Sequence, residues 1–216
     1  RRFTEQYRMD DAICSMVSKC FYEPHSVALQ TSSERVGGLR FDEAGASWLR
    51  RPMTWIDTSK HPKSKEGRPH GETSRFNEAE VDAAIALLED VANNQELVNF
   101  LSKKDDETPI GVICMYAAQK RKIEARWLQR AWEARFRRLV RIDTVDSYQG
   151  KENEIVIVSL VCNNARGDIG HVRSANRCNV ALSRAKERLV VVGAAEMFAH
   201  MPAQTPITSV LTYFQR

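Results

Sequence analysis

The chain has 216 residues, 43% of them hydrophobic and 28% charged, with a net charge of +4 and an isoelectric point near 8.8. These values exclude a disordered or low-complexity chain and describe one soluble domain with a real core. No apolar run approaches the ~20 residues of a membrane span and no signal peptide opens the chain, so a soluble, intracellular, cytoplasmic or nuclear protein is expected; the mild positive charge permits nucleic-acid binding without demanding it.

Residues Arg1–Cys20 start without an initiating Met and read as a cut from a longer chain. Asp10 or Asp11 can cap a helix there that buries Ile13, Met16 and Val17. Residues 21–52 carry Pro, Gly and Ser punctuation and read as irregular. Met53–Asp57 is a predicted strand. Thr58–Arg75 is a polar, basic and mobile loop, either a solvated surface or a contact to phosphates. Asn77–Val91 is a predicted helix, since Val81, Ala84, Ile85 and Leu88 recur at helical spacing behind acidic residues at 78 and 80. Ile110–Met115 is a short buried strand.

Ala117–Leu139 reads as one strongly basic helix with an inner stripe of Ile123, Trp127, Leu128 and Ala131. Its arginines and lysines form either a solvated face with long apolar stems or a nucleic-acid platform, and Trp127 and Trp132 are assigned to packing. Strands Val140–Val145 and Glu154–Val161, helix Ser174–Ala185, strand Arg188–Gly193 and a helix near Pro206–Phe214 complete the chain. This alternation predicts an α/β fold, a mostly parallel sheet with helices on both faces, over one domain of 1–216.

Two polar cassettes flank the most apolar strands: Asp146-Ser147-Tyr148-Gln149-Gly150-Lys151-Glu152 and Asn179-Val180-Ala181-Leu182-Ser183-Arg184-Ala185. Both are expected on the rim at the strand ends, where open α/β sheets bind ligands. The five cysteines at 14, 20, 114, 162 and 178 have no zinc spacing, so no metal site is predicted and reduced, mostly buried thiols are expected.

With these cassettes stand Glu5-Gln6-Tyr7-Arg8-Met9 and Ile110-Gly111-Val112-Ile113 followed by Tyr116-x-x-Gln119. In that order they resemble the second RecA-like domain of superfamily 1 helicases, in the branch containing the nonsense-mediated-decay helicase. Ser74-x-x-Asn77-x-x-Glu80 is similar to that branch too. The resemblance runs from Phe3 to Gly193. It implies a P-loop NTPase-type architecture in which two lobes clasp ATP. The first lobe brings the phosphate loop, Mg2+ and a carboxylate; the second brings arginines to charge that spreads over the transferring phosphoryl.

On that resemblance Arg8 and Arg184 are the arginine fingers. Tyr7 stacks on the adenine, Glu152 contacts the ribose or neighbouring nucleotide groups, and Gln149 and Gly150 shape that loop. Thr144 and Tyr116 match positions near a track for single-stranded DNA or RNA, with Ser174 and Arg177 as further candidates. Asp10-Asp11 replaces the family's His-Pro, and Met115 replaces its Pro.

No G-x-x-x-x-G-K-[ST] occurs, so the chain carries half of an ATPase site and depends on an upstream lobe for ATP and Mg2+. Asp42-Glu43-Ala44-Gly45 imitates a Walker-B carboxylate pair but follows no apolar strand. Two readings stay open: the C-terminal motor lobe of an ATP-dependent helicase, inactive alone, or a degenerate scaffold that binds nucleic acid or protein.

Overall fold

The computed structural model describes residues 4–35, 46–104, 108–202 and 205–215. In chain order its elements are β1 (Glu5–Gln6), α1 (Asp11–Val17), β2 (Gln30–Thr31), β3 (Met53–Asp57), α2 (Glu78–Ala92), α3 (Gln95–Leu101), β4 (Ile110–Cys114), α4 (Ala117–Leu128), α5 (Ala134–Leu139), β5 (Val140–Thr144), β6 (Asn153–Ser159), α6 (Ala175–Leu182), β7 (Ala185–Gly193), α7 (Ala195–Ala199) and α8 (Pro206–Phe214). Among the described residues the main sheet has five parallel strands in the order β3-β7-β6-β4-β5. The Asp42–Gly45 tetrapeptide lies outside the described residues.

Alternation along the strands builds the two halves of the core. Val156, Val158, Leu189 and Val191 join one cluster with residues of α1, α6, α7 and α8. Ile155, Ile157, Val190 and Val192 face the other way into a cluster with α2, α3, α4 and α5. Helix starts follow short polar caps: Asp10 accepts from the Ala12 N–H at 2.9 Å, Asn94 from Leu97 at 3.0 Å and Ser174 from Arg177 at 3.3 Å. Asn77 accepts from Glu80 at 3.3 Å and starts α2 at the predicted place.

Several expectations are corrected. The single helix over Ala117–Leu139 is two, because Trp132 folds back, donates its indole N–H to the Trp127 carbonyl at 2.8 Å and stacks on the Trp127 ring at 4.5 Å. Leu128 and Ala131, read as inner residues, are exposed. The irregular 21–52 segment contains β2, which pairs with β1, and helical turns at Glu23–His25 and Ser47–Arg50. Helices α3 and α7 were not predicted. The loop read as mobile is tied down, with Ser64 O accepting from Asn77 at 2.7 Å and Asn163 at 2.9 Å and with Arg75 paired to Glu66 and Asp168.

Candidate functional site

The cassettes do not share one rim. Thr144 ends β5, and the Val145 N–H reaches the Cys114 carbonyl at 3.0 Å, so this end holds the carboxyl termini of the strands. Glu152 directly precedes β6 and Arg184 directly precedes β7, which places both at the amino-terminal edge. Residues 145–152 therefore run the length of the sheet while crossing β4. Gly111 permits the passage: a Cβ there would stand 2.3 Å from the Tyr148 hydroxyl. The buried Tyr148 ring thus sits where β4 carries no side chain. Gly150 turns the chain towards Glu152 with φ +82°, a conformation that favours glycine.

At the amino-terminal edge Tyr7, Arg8 and Glu152 line an open cleft of about 700 Å³ with Tyr22 and Ser183. Gln6 shapes the turn that presents Tyr7 and Arg8. Its side-chain oxygen accepts from the Arg8 and Met9 N–H groups at 2.8 and 2.7 Å, and its amide donates to Thr31 Oγ1 at 2.8 Å. Tyr7 is 57% exposed, an apolar ring left in solvent at the mouth of the cleft. Arg8 is ion-paired to Glu152 and donates to the Ser183 carbonyl at 3.3 Å.

Glu152 also meets Lys186 Nζ at 3.2 Å. Partial burial pushes its carboxyl up, but Lys186 and Arg8 outweigh this and hold it below the usual carboxylate range. Arg184 donates to the Val180 and Lys151 carbonyls at 3.1 and 3.0 Å. Arg8 binds the carbonyl just before Arg184, and Arg184 binds the carbonyl just before Glu152, so the two side chains are neighbours; burial, and then the positive charge of Arg8, lower the Arg184 pKa. An arginine remains charged there, so the edge concentrates positive charge.

At the carboxyl-terminal end Thr144 Oγ1 donates to Ser147 Oγ at 3.2 Å. Arg177 grips Asp146 through two bonds of 2.9 and 3.1 Å. Ser174 spends its hydroxyl capping α6. Tyr116 is 4% exposed; its ring stacks on His171 at 4.4 Å and its hydroxyl accepts from the His171 N–H at 2.9 Å. That hydroxyl thus holds the Gly170–Arg173 turn beside the carboxyl end of β4. Gln149 is exposed beside Gly150.

The crevice between the carboxyl ends of β4 and β6, the switch point of this strand order, is filled by the protein's own polar groups. Glu80, fully buried, accepts from Ser159 Oγ at 2.6 Å and from the Val161 N–H at 2.9 Å; Gln119 donates to Ser159 Oγ at 2.9 Å. Glu80 belongs to the Ser74-x-x-Asn77-x-x-Glu80 segment that carries part of the resemblance, but its buried place in this cluster was not predicted. Lys186, Arg35 and Glu187, which surround the arginine edge, carried no signal in the sequence. Among the described residues no group of three or more His, Cys, Asp or Glu side chains could hold a metal ion, and no helix is long and apolar enough to cross a membrane.

A family model described as an AAA domain matches residues 1–196. The "DNA replication ATP-dependent helicase/nuclease DNA2" of Xenopus tropicalis is 28% identical over 214 residues, covering 89% of this chain and 18% of that protein. "Helicase sen1" of Schizosaccharomyces pombe is 29% identical over 195 residues, covering 88% of this chain and 10% of that protein. The chain therefore spans less than a fifth of the length of either relative. A crystallised C-terminal domain of a possible DNA helicase from Lactobacillus plantarum WCFS1 aligns with a TM-score of 0.44 at 16% identity, covering 87% of each chain.

Proposed function

Because the chain belongs to the AAA-domain family, as the C-terminal RecA-like lobe of a superfamily 1 helicase, we propose that it is half of an ATP-driven motor acting on single-stranded DNA or RNA inside the cell. The observation that carries this reading is the shared edge: exposed Tyr7 and the Arg8–Glu152 pair line one cleft, and Arg184 stands beside it, bonded to the Lys151 carbonyl. An adenine stacks on Tyr7, and Glu152 turns from Arg8 to the ribose. Arg8 and Arg184 then face the phosphates across the cleft, where they balance charge that grows in the transition state. Magnesium, held with the phosphates by the first lobe, supplies the remaining positive charge. The strand lies at the opposite end of the sheet, over Thr144 and the loop that Tyr116 supports, with Ser174 and Arg177 alongside. Contacts there go to its backbone and carry no sequence preference.

The test is ATP turnover by a protein carrying both lobes, with and without single-stranded DNA or RNA. Arg184→Ala should lower kcat by about a thousandfold or more while leaving nucleotide binding largely intact. This chain alone should release no phosphate above an Arg8→Ala/Arg184→Ala control. The nucleic acid that stimulates turnover names the substrate. An intact protein without turnover, or an Arg184→Ala variant as fast as wild type, leaves the scaffold reading in place.

A further inference from the structure

The two arginine-bearing segments come from opposite ends of the sequence and need a device that sets their spacing. The segment carrying Arg8 touches the start of β7 at one backbone bond, Asp10 N–H to the Lys186 carbonyl at 2.7 Å. Gln6 sets the shape of the turn, but that one peptide bond is a weak tie between it and β7. Arg35, which lies outside every motif in the chain, adds to it. Its Nε donates to the Arg8 carbonyl at 3.0 Å. Its Nη2 donates to the Lys186 carbonyl at 3.0 Å and to Glu187 Oε1 at 2.5 Å. Arg35 and Glu187 side chains are only 9% and 8% exposed, so the pair is shielded from water.

The short β1–β2 pair explains how Arg35 arrives there. Gln6 O accepts from the Ser32 N–H at 2.8 Å, and Ser32 O accepts from the Arg35 N–H at 3.1 Å, so the segment after β2 is laid directly behind the Arg8 turn. We propose that Arg35 is a positioning residue that fixes the distance between the Arg8 and Arg184 segments by bonding the backbone of one to the start of the strand that follows the other. The chemistry requires a planar fork with donors in fixed directions, which arginine has and lysine lacks. Glu187 orients the fork and neutralises its charge. The inference rests on the ATPase reading of Arg8 given above and adds a residue that acts on it only through the backbone.

The experiment uses a protein carrying both lobes and saturating single-stranded nucleic acid, comparing wild type, Arg35→Lys, Arg8→Ala and the Arg8→Ala/Arg35→Lys combination. A misplacement of the finger by an ångström costs about a hundredfold, so Arg35→Lys should lower kcat by about tenfold to a hundredfold with KM for ATP unchanged. In the Arg8→Ala background the same change should cost little more, because the group it positions is already gone. Equal losses in both backgrounds mean a general structural role and overturn the proposal, as does an Arg35→Lys enzyme with full kcat. If Arg8→Ala itself is harmless, the reading of Arg8 as a finger falls and the brace falls with it. A loss at Arg8→Ala with none at Arg35→Lys sinks the brace alone. Should Arg35→Lys fail to fold, Arg35→Met/Glu187→Met removes both buried charges together and carries the same comparison, with the same outcomes deciding it.

Discussion

Glu80 is a fully buried acid whose carboxyl holds Val161 in a backbone conformation that valine avoids. Val161 has φ +74°, and such a conformation in a β-branched residue costs on the order of 1–3 kcal/mol. Both Glu80 oxygens lie 2.9 Å from the Val161 N–H, and Asn77 donates to the Val161 carbonyl at 3.1 Å, so both backbone groups of the strained residue are bound. Burial pushes the Glu80 carboxyl up to about 8, against the lowering effect of the Ser159 and Val161 bonds, and Glu66 adds to the rise. A carboxyl raised in the folded state binds more protons there than in the unfolded chain. Its stabilising contribution is therefore full below the ordinary carboxylate range and is lost as pH climbs towards about 8. Melting temperatures of wild type measured against Glu80→Gln should thus converge or cross as pH rises from 5 to 8. Parallel curves would show that Glu80 does not take up a proton in that window.

At the scale of elements, most basic residues of α4 and of the turn after it are paired with acids of α2 and the loop before it. Arg121 pairs with Glu72, Lys122 with Glu78 at 2.6 Å, Arg126 with Asp82 at 2.7 Å and Arg130 with Glu89 at 3.1 Å. This favours the solvated-face reading of those residues over a nucleic-acid platform. Replacing Arg121, Lys122 and Arg126 with Ala should cost about 0.2–1 kcal/mol per exposed pair. Affinity for single-stranded nucleic acid should stay put in a salt titration; a shallower slope would restore the platform. The acid partners are in the sequence, but pairing them required knowing that α2 lies beside α4. The same holds for Trp132, whose return onto Trp127 is a tertiary contact that helical periodicity cannot show. Met53–Asp57 and Pro206–Phe214 were legible to the residue, because a Pro precedes one and opens the other and their patterns are short and unbroken.

For the whole molecule, the motifs announced the family and the fold class, whereas the placement of the cassettes needed the strand order. A parallel sheet has two ends, and a residue just before a strand lies at the opposite end from one just after it. Glu152 and Arg184 come before their strands, while Thr144 ends its strand and Tyr116 follows its own, so the nucleotide and nucleic-acid candidates are separated by the sheet's full length. Residues 145–152 span that length in one passage, clamped at its middle by Tyr148 on Gly111.

The order of the sheet also governs when the molecule can come into being. Strand β3 has one neighbour in the main sheet, β7, with Met53 opposite Leu189. A ribosome that has made β3 must add every residue through β7 before that strand finds its neighbour, and long-range parallel pairing is slow even then. The arginine edge waits equally, because Asp10 and Arg35 bind Lys186. Chains stopped before Ala185 should therefore be digested by a mild protease from residue 4 onward, while the full chain resists; a protected fragment around α1 would show that the amino-terminal part folds early by itself. Until the last strand emerges, the edge that Arg8 and Arg184 share is not assembled.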